Sequence, residues 1–205
     1  MKVLMINGSP HPNGCTYTAL QEMGNQFRAL GVDYEIVHIG SNNIPGCGAC
    51  RACRSTGVCV ADDLANAVHK KLEECDAFVV GSPVYYASPN GALLSLLDRV
   101  FYMGGNYAHK PAAAVVSARR GGTTASLDVL QKYFMISGMP LASSTYWPMV
   151  HGNAPEEVRQ DLEGLQAVRA LAHDLVWMAR CFEAGRKSGI CPTFTEDPIS
   201  TNFIR

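Results

Sequence analysis

A chain of 205 residues, 47% hydrophobic and 17% charged, suits one α/β domain that buries roughly 70% of the surface its unfolded form exposes. Seventeen basic against eighteen acidic residues leave a formal charge of −1 with no charged block. That balance disfavours nucleic acid and other polyanions, which need a concentrated basic surface.

Residues 2–6, KVLMI, read as a first strand, and the Gly/Pro/Asn-rich loop at 8–14 follows it. Four apolar residues before that loop are too few for a signal-peptide core, and no stretch reaches about eighteen, so no membrane span is expected. A soluble, cytoplasmic protein is the expectation. Thiols stay reduced there, so eight cysteines point to metal or redox chemistry before disulfides. Ala19, Leu20, Met23, Phe27 and Leu30 recur at the helical period, and Gly31 stands where a left-handed cap belongs. Residues 33–39, DYEIVHI, read as strand two.

Residues 40–62 show no periodicity, which is uncommon in a compact domain unless the segment is functional or tied down. Asp62-Asp63 then start a helix with Leu64, Val68, Leu72 and Cys75 on one face. Residues 77–80 and 112–116 suit central strands buried on both faces. Ser88-Pro89 reads as opening a helix that carries Leu93, Leu94, Leu97, Val100 and Phe101. Another helix runs from about 123 to 136, and residues 141–147 read as the fifth strand despite polar Ser143-Ser144-Thr145. A capping box at Asn153 and Glu156 opens the last helix. Cys75 and Cys181, in apolar helical contexts, read as small core residues. The division expected is one domain over 1–183, with a cysteine-rich insert at 40–62, and a tail over 184–205. Its apolar Phe203-Ile204 end could dock on a neighbouring subunit, although a frayed terminus is the default.

Strands alternating with helices fit a doubly wound parallel sheet, whose ligand belongs beyond the carboxyl ends of the strands. Three loops fall at that edge. The first holds Ser9, His11, Asn13, Gly14, Cys15 and Thr16 and feeds a helix N-terminus, where orphan N–H groups can enclose a phosphate without lysine. The alternative is an ordinary β–α connection. The second, with Pro83, Val84, Tyr85, Tyr86 and Ala87, offers the apolar wall a flat heteroaromatic ring needs; alternatively its tyrosines pack on the surface. The third holds Ser117, Arg119, Arg120, Gly121 and Gly122. Its glycines permit close backbone approach, and one arginine beside a flavin would stabilise the anionic reduced form. Two solvated arginines are the other reading. His151, after the fifth strand, lies near the same edge and reads first as structural.

Cys47, Cys50, Cys53 and Cys59 fall within thirteen residues, and glycines at 46, 48 and 57 ease the turns between them. Such a compact thiolate run can surround a cuboidal 4Fe–4S cluster. Structural zinc more often uses two separated Cys-x2-Cys pairs. A cluster, zinc, a disulfide and an empty site all remain open.

Taken together, Gly8-Ser9-Pro10…Gly14-x-Thr16, Ser82-Pro83-Val84-Tyr85-Tyr86, Gly91…Leu93…Asp98-Arg99 and Gly121-Gly122 resemble the flavodoxin-like, NADPH-dependent FMN reductase superfamily over about residues 1–150. The cysteine insert is similar to that of its iron–sulfur flavoprotein branch. The resemblance implies a flavodoxin-like five-stranded parallel sheet, order 2-1-3-4-5, with helices on both faces, non-covalent FMN and a homodimer or homotetramer. It implies phosphate contacts from Ser9, His11, Cys15 and Thr16, and ring contacts from 83–87 and 117–122. An FMN-dependent oxidoreductase is the function implied. NAD(P)H would be the donor and a quinone, nitro or azo compound, free flavin or metal ion the acceptor. The alternatives are an electron carrier fed by ferredoxin through a 4Fe–4S cluster, and a non-catalytic, metal-stabilised domain. His11 and Cys15 stand where relatives commonly carry Arg and Asn, and Leu94 where they often carry Lys.

Overall fold

The expected alternation of strands and helices is present. The computed structural model describes residues 1–194 with 196, 197, 199 and 201. The Phe203-Ile204 end lies outside the described residues. Among these, the chain order is β1 (Lys2–Asn7), α1 (Cys15–Ala29), β2 (Asp33–His38), α2 (Cys53–Thr56), α3 (Leu64–Glu74), β3 (Ala77–Tyr85), β4 (Ser88–Pro89), α4 (Gly91–Tyr102), β5 (Ala112–Ala118), α5 (Thr123–Ile136), β6 (Met149–His151), α6 (Pro155–Val158) and α7 (Leu162–Lys187). No helix among them is long and apolar enough to cross a membrane.

The parallel strands lie in the order β2-β1-β3-β5-β6, with β4 antiparallel to β3 outside that sequence. The fold is α/β and flavodoxin-like, as expected, with one strand more than the 2-1-3-4-5 pattern. Side-chain alternation along β1 divides the interior into two cores. Leu4 and Ile6 face α3, α4 and α5 and pack with Phe78, Leu96, Val100, Leu130 and Phe134. Val3 and Met5 face α1 and α7 and pack with Leu20, Met23, Phe27, Leu171 and Leu175. β5 is buried along its whole length, which suits its unbroken small apolar sequence.

Four local expectations are corrected. Ser88-Pro89 forms β4 rather than a helix start, because Tyr86 and Ala87 (φ 48° and 63°) close a two-residue hairpin in which Tyr85 pairs with Ser88. α4 begins later, capped by Asn90, whose side chain accepts from the Ala92 N–H at 3.0 Å. Residues 141–147 make only an isolated bridge from Leu141 to Ala112; the polar run leaves the sheet, and the Ser144 hydroxyl donates to the Ala167 carbonyl at 2.6 Å. The edge strand is β6 instead. The helix read from 153 onward is split, with Glu157 rather than Glu156 accepting from the Asn153 N–H and Asp161 capping α7.

α7 itself runs to Lys187, past the loss of period read at 184. Cys75 is in the core, whereas Cys181 is exposed, off the buried stripe that ends in Val176 and Ala179. The four-residue α2 interrupts the aperiodic insert.

The edge strand β2 is tied down by charge. Glu35 meets Lys71 of α3 at 2.6 Å and Lys2 of β1 at 3.2 Å. The Lys71 hydrogen bond is the main cause holding this carboxyl below its usual range, against an opposing effect of partial burial. A depressed folded value contributes stability above the unfolded value, about pH 4.3, and loses it as pH falls through the folded value. Glu35→Gln should therefore lower the unfolding free energy by about 0.5–1 kcal/mol at pH 7. The difference from wild type should persist to about pH 4.3 and close below it, as read from urea unfolding across pH.

Candidate functional site

At the carboxyl ends of β1, β3 and β5 a cleft of about 650 Å³ opens. Its floor is the β1–α1 loop, which largely folds on itself. The Ser9 N–H donates to Asn7 Oδ1 at 3.2 Å and the His11 N–H to Ser9 Oγ at 3.1 Å. From β2, His38 Nε2 meets the Ser9 carbonyl at 2.8 Å, so that nitrogen carries the proton. Gly14 precedes α1 in extended conformation and no side chain caps the helix. The first-turn N–H groups and the positive end of the helix dipole therefore face the cleft, as an anion requires.

Of the residues expected here, Ser9, His11, Asn13, Gly14, Cys15, Thr16, Pro83, Val84, Tyr85, Ser117 and Arg119 line the cleft. Thr16 Oγ1 and Ser117 Oγ share a buried 2.8 Å hydrogen bond that joins the first and third loops. Burial pushes the Cys15 thiol up and its own backbone N–H opposes this, while the carboxylates of Glu157 and Glu156 add to the rise. The neutral thiol donates to the Gly152 carbonyl at 3.5 Å.

Tyr86, Ala87, Arg120, Gly121 and Gly122 are not among the lining residues. Tyr86 sits fully in solvent on the hairpin tip. Gly122, at φ 91°, serves packing: a Cβ there would come within 2.7 Å of Ala87 Cα and 2.8 Å of Val84 Cγ1. The third loop thus braces the second. Gly122 makes its close approach to the second loop, whereas a Cβ at Gly121 would meet nothing within 4 Å.

The opposite wall is residues 152–155, just after β6. Placing the fifth strand at 141–147 hid this wall, since the end of a parallel strand marks where the ligand loop starts. His151 is not part of it. Its N–H donates to Asp161 Oδ2 at 2.7 Å, and its ring lies 3.7 Å from the same oxygen.

The cysteine insert is held by two side chains: Asn66 of α3 accepts from the Cys59 N–H at 2.8 Å and donates to the Cys59 carbonyl at 3.0 Å, and Arg99 makes the larger set of contacts. Arg99 of α4, 2% exposed, forms a two-pronged ion pair with Asp63 at 2.5 and 2.8 Å. It also donates to the Ala61 carbonyl at 2.9 Å and the Pro45 carbonyl at 3.5 Å. Two further bonds of 3.3 Å reach Cys59 Sγ. A planar guanidinium brings five N–H donors to these six hydrogen bonds, so one is shared, where an ammonium has three. Burial acts to raise the Asp63 carboxyl, but the hydrogen bonds from Arg99 and the Ala65 N–H, with the arginine's charge, hold it below the usual range.

Cys53 is buried against α4, its thiol 3.9 Å from the Tyr102 carbonyl, and Cys59 is half-buried. Cys47 and Cys50 are exposed. The donor types suit an iron–sulfur cluster or zinc, but the arrangement does not: among the described residues no three potential ligands gather into a metal-binding group. Two thiols are held by the fold and two stand away from it.

Removing the guanidinium leaves Asp63 without its partner. Arg99→Met should lower stability by about 2–4 kcal/mol, somewhat less than breaking a fully buried pair costs because Asp63 is partly solvated. Cys53 and Cys59 should then react with a thiol reagent as fast as Cys47 and Cys50, read by mass spectrometry after timed alkylation. Unchanged stability and unchanged labelling would remove Arg99 as the anchor.

Residues 1–154 match the family described as NADPH-dependent FMN reductase. An iron-sulfur flavoprotein of Methanocaldococcus jannaschii is 30% identical over 181 residues, covering 83% of this chain and 93% of its own. An iron-sulfur flavoprotein of Archaeoglobus fulgidus is 30% identical over 203 residues, covering 92% of this chain and all of its own. Among solved structures, a flavodoxin from the domain Archaea superposes with a TM-score of 0.61 at 16% identity, over 88% of this chain and 99% of that one. Matched along three of its four quarters and aligned with relatives over nearly their full length, the chain belongs to the NADPH-dependent FMN reductase family, and its function is flavin-based redox chemistry.

Proposed function

We propose that this chain is an FMN-dependent oxidoreductase that takes electrons from NAD(P)H and delivers them to a small-molecule acceptor such as a quinone or a nitro or azo compound. The observation that carries the reading is the single cleft joining the uncapped N-terminus of α1 to the Pro83-Val84-Tyr85 wall. When bound there, FMN would supply the redox chemistry itself, accepting hydride from nicotinamide and releasing electrons to the acceptor. The chain's part is to bind and orient. Backbone N–H groups of α1, with Ser9 and Thr16, take the phosphate; Pro83, Val84 and Tyr85 flank the ring; Arg119 places positive charge at the rim. Neutral Cys15, in place of a stronger donor, contributes one weak hydrogen bond. A cytoplasmic homodimer or homotetramer, with the solvent-exposed Tyr86 beside the cleft mouth, belongs to the same proposal.

A second reading is an iron–sulfur electron carrier fed by ferredoxin. The four thiols within thirteen residues favour it, as does the likeness to the two archaeal iron-sulfur flavoproteins. It requires Cys47 and Cys50 to close onto Cys53 and Cys59 from their exposed positions.

Anaerobically purified protein decides between them. FMN binding at tens of micromolar or tighter, about 6 kcal/mol, with rapid reduction by NADPH or NADH and turnover of a quinone, is the expected result. About four iron atoms per chain, the content of one 4Fe–4S cluster, with reduction by ferredoxin but by neither nucleotide, would replace the first reading by the second. Arg119→Ala should make the flavin potential more negative by about 10–30 mV, modest because the arginine is exposed. Arg120→Ala, outside the cleft, should leave it unchanged in the same spectroelectrochemical titration.

A further inference from the structure

We infer that Asn90 is a positioning residue that sets the distance between the phosphate end and the ring end of the cleft. The inference rests on the flavin reading. Asn90 is 8% exposed and every polar group of its side chain is used. Its Oδ1 accepts from the Ala92 N–H at 3.0 Å, which caps α4. Its Nδ2 donates to the Gly8 carbonyl at 2.7 Å, where the first loop leaves β1. Its own N–H donates to Ser82 Oγ at 3.0 Å, and that hydroxyl donates to the Pro83 carbonyl at 2.8 Å, where the second loop begins. One residue therefore grips both loops and the rigid end of a helix.

The grip is short and leaves no slack. Gly8 also donates its N–H to the Gly81 carbonyl at 2.8 Å. Ser82 is fully buried. Hydrogen bonds inside such a site gain strength from the low local dielectric, and an unpaired Gly8 carbonyl or Ser82 hydroxyl would cost more than the bond itself is worth. Cap and spacer are separable functions. Any short oxygen-bearing side chain can accept from the Ala92 N–H, whereas donation to Gly8 needs the full length of an amide.

A ligand that spans both loops depends on that spacing, and one that touches only the ring wall does not. FMN and riboflavin, which differ by the phosphate, form the matching pair of probes. Asn90→Ser keeps a neutral cap but is too short to reach Gly8. Asn90→Asp keeps the shape and the cap but cannot donate when ionised.

Affinities of wild type and both variants for FMN and riboflavin, from flavin fluorescence quenching, test the inference, with thermal unfolding measured alongside. FMN should bind about tenfold to thirtyfold more weakly to each variant. Riboflavin should stay within about twofold, and the melting temperature should fall by a few degrees, the cost of the unpaired Gly8 carbonyl with the cap kept. Equal losses for the two flavins, no loss for either, or a loss confined to Asp, which charge alone explains, would each overturn the positioning role. Should one variant fail to fold, the other carries the test. A wild-type chain that binds neither flavin would overturn the flavin reading and this inference with it. Wild-type binding with unaltered variants overturns the inference alone.

Discussion

The ligand edge of this protein depends on how closely β1 and β3 approach where they end. A Cβ added at Gly8 would come within 2.7 Å of the Gly81 carbonyl oxygen and 2.5 Å of a Leu93 methyl. One added at Gly81 would come within 2.8 Å of Leu20 and 3.0 Å of Thr16. Leu93 belongs to α4 on one face of the sheet, and Leu20 to α1 on the other. Two missing side chains thus let helices from both faces close on the strand ends together. That contact brings the N-terminus of α1 over the cleft, and it brings the start of α4 against the first loop from the opposite side.

Much of this was legible in the sequence because it follows from periodicity. The alternation of Val3 and Met5 with Leu4 and Ile6, the unbroken apolar run of β5 and the stripe of α1 each report burial directly. The failures share a cause. Residues 141–147 look like a strand by composition, but a strand is defined by the neighbour it pairs with, and only Leu141 finds one. Ser88-Pro89 looks like a helix start, but tertiary pairing with Val84 and Tyr85 overrides that local preference.

The candidate site was legible at the level of loops and less so at the level of side chains. Eleven of the sixteen residues expected to meet the nucleotide line one cleft, and the other five lie on the hairpin tip (Tyr86, Ala87) and in the third loop (Arg120, Gly121, Gly122). His38, Asn90 and Arg99 gave no sign of their roles, since each acts through partners tens of residues away in the chain. A cysteine run announces itself by spacing alone. The arginine that anchors it does not, because the ion pair with Asp63 exists only after α4 has packed against α3.

The hairpin tip carries a different consequence. Tyr86 and Ala87 hold a mirror-image bend without glycine, a conformation costly for residues with side chains. The strand pairing on either side and the Gly122 contact beneath leave the backbone little freedom. An aromatic ring with only two rotatable bonds, presented on so stiff a mount, has little disorder left to lose. Any surface that meets Tyr86 therefore meets an aromatic whose backbone is already fixed, so only the two side-chain torsions remain to be ordered on contact.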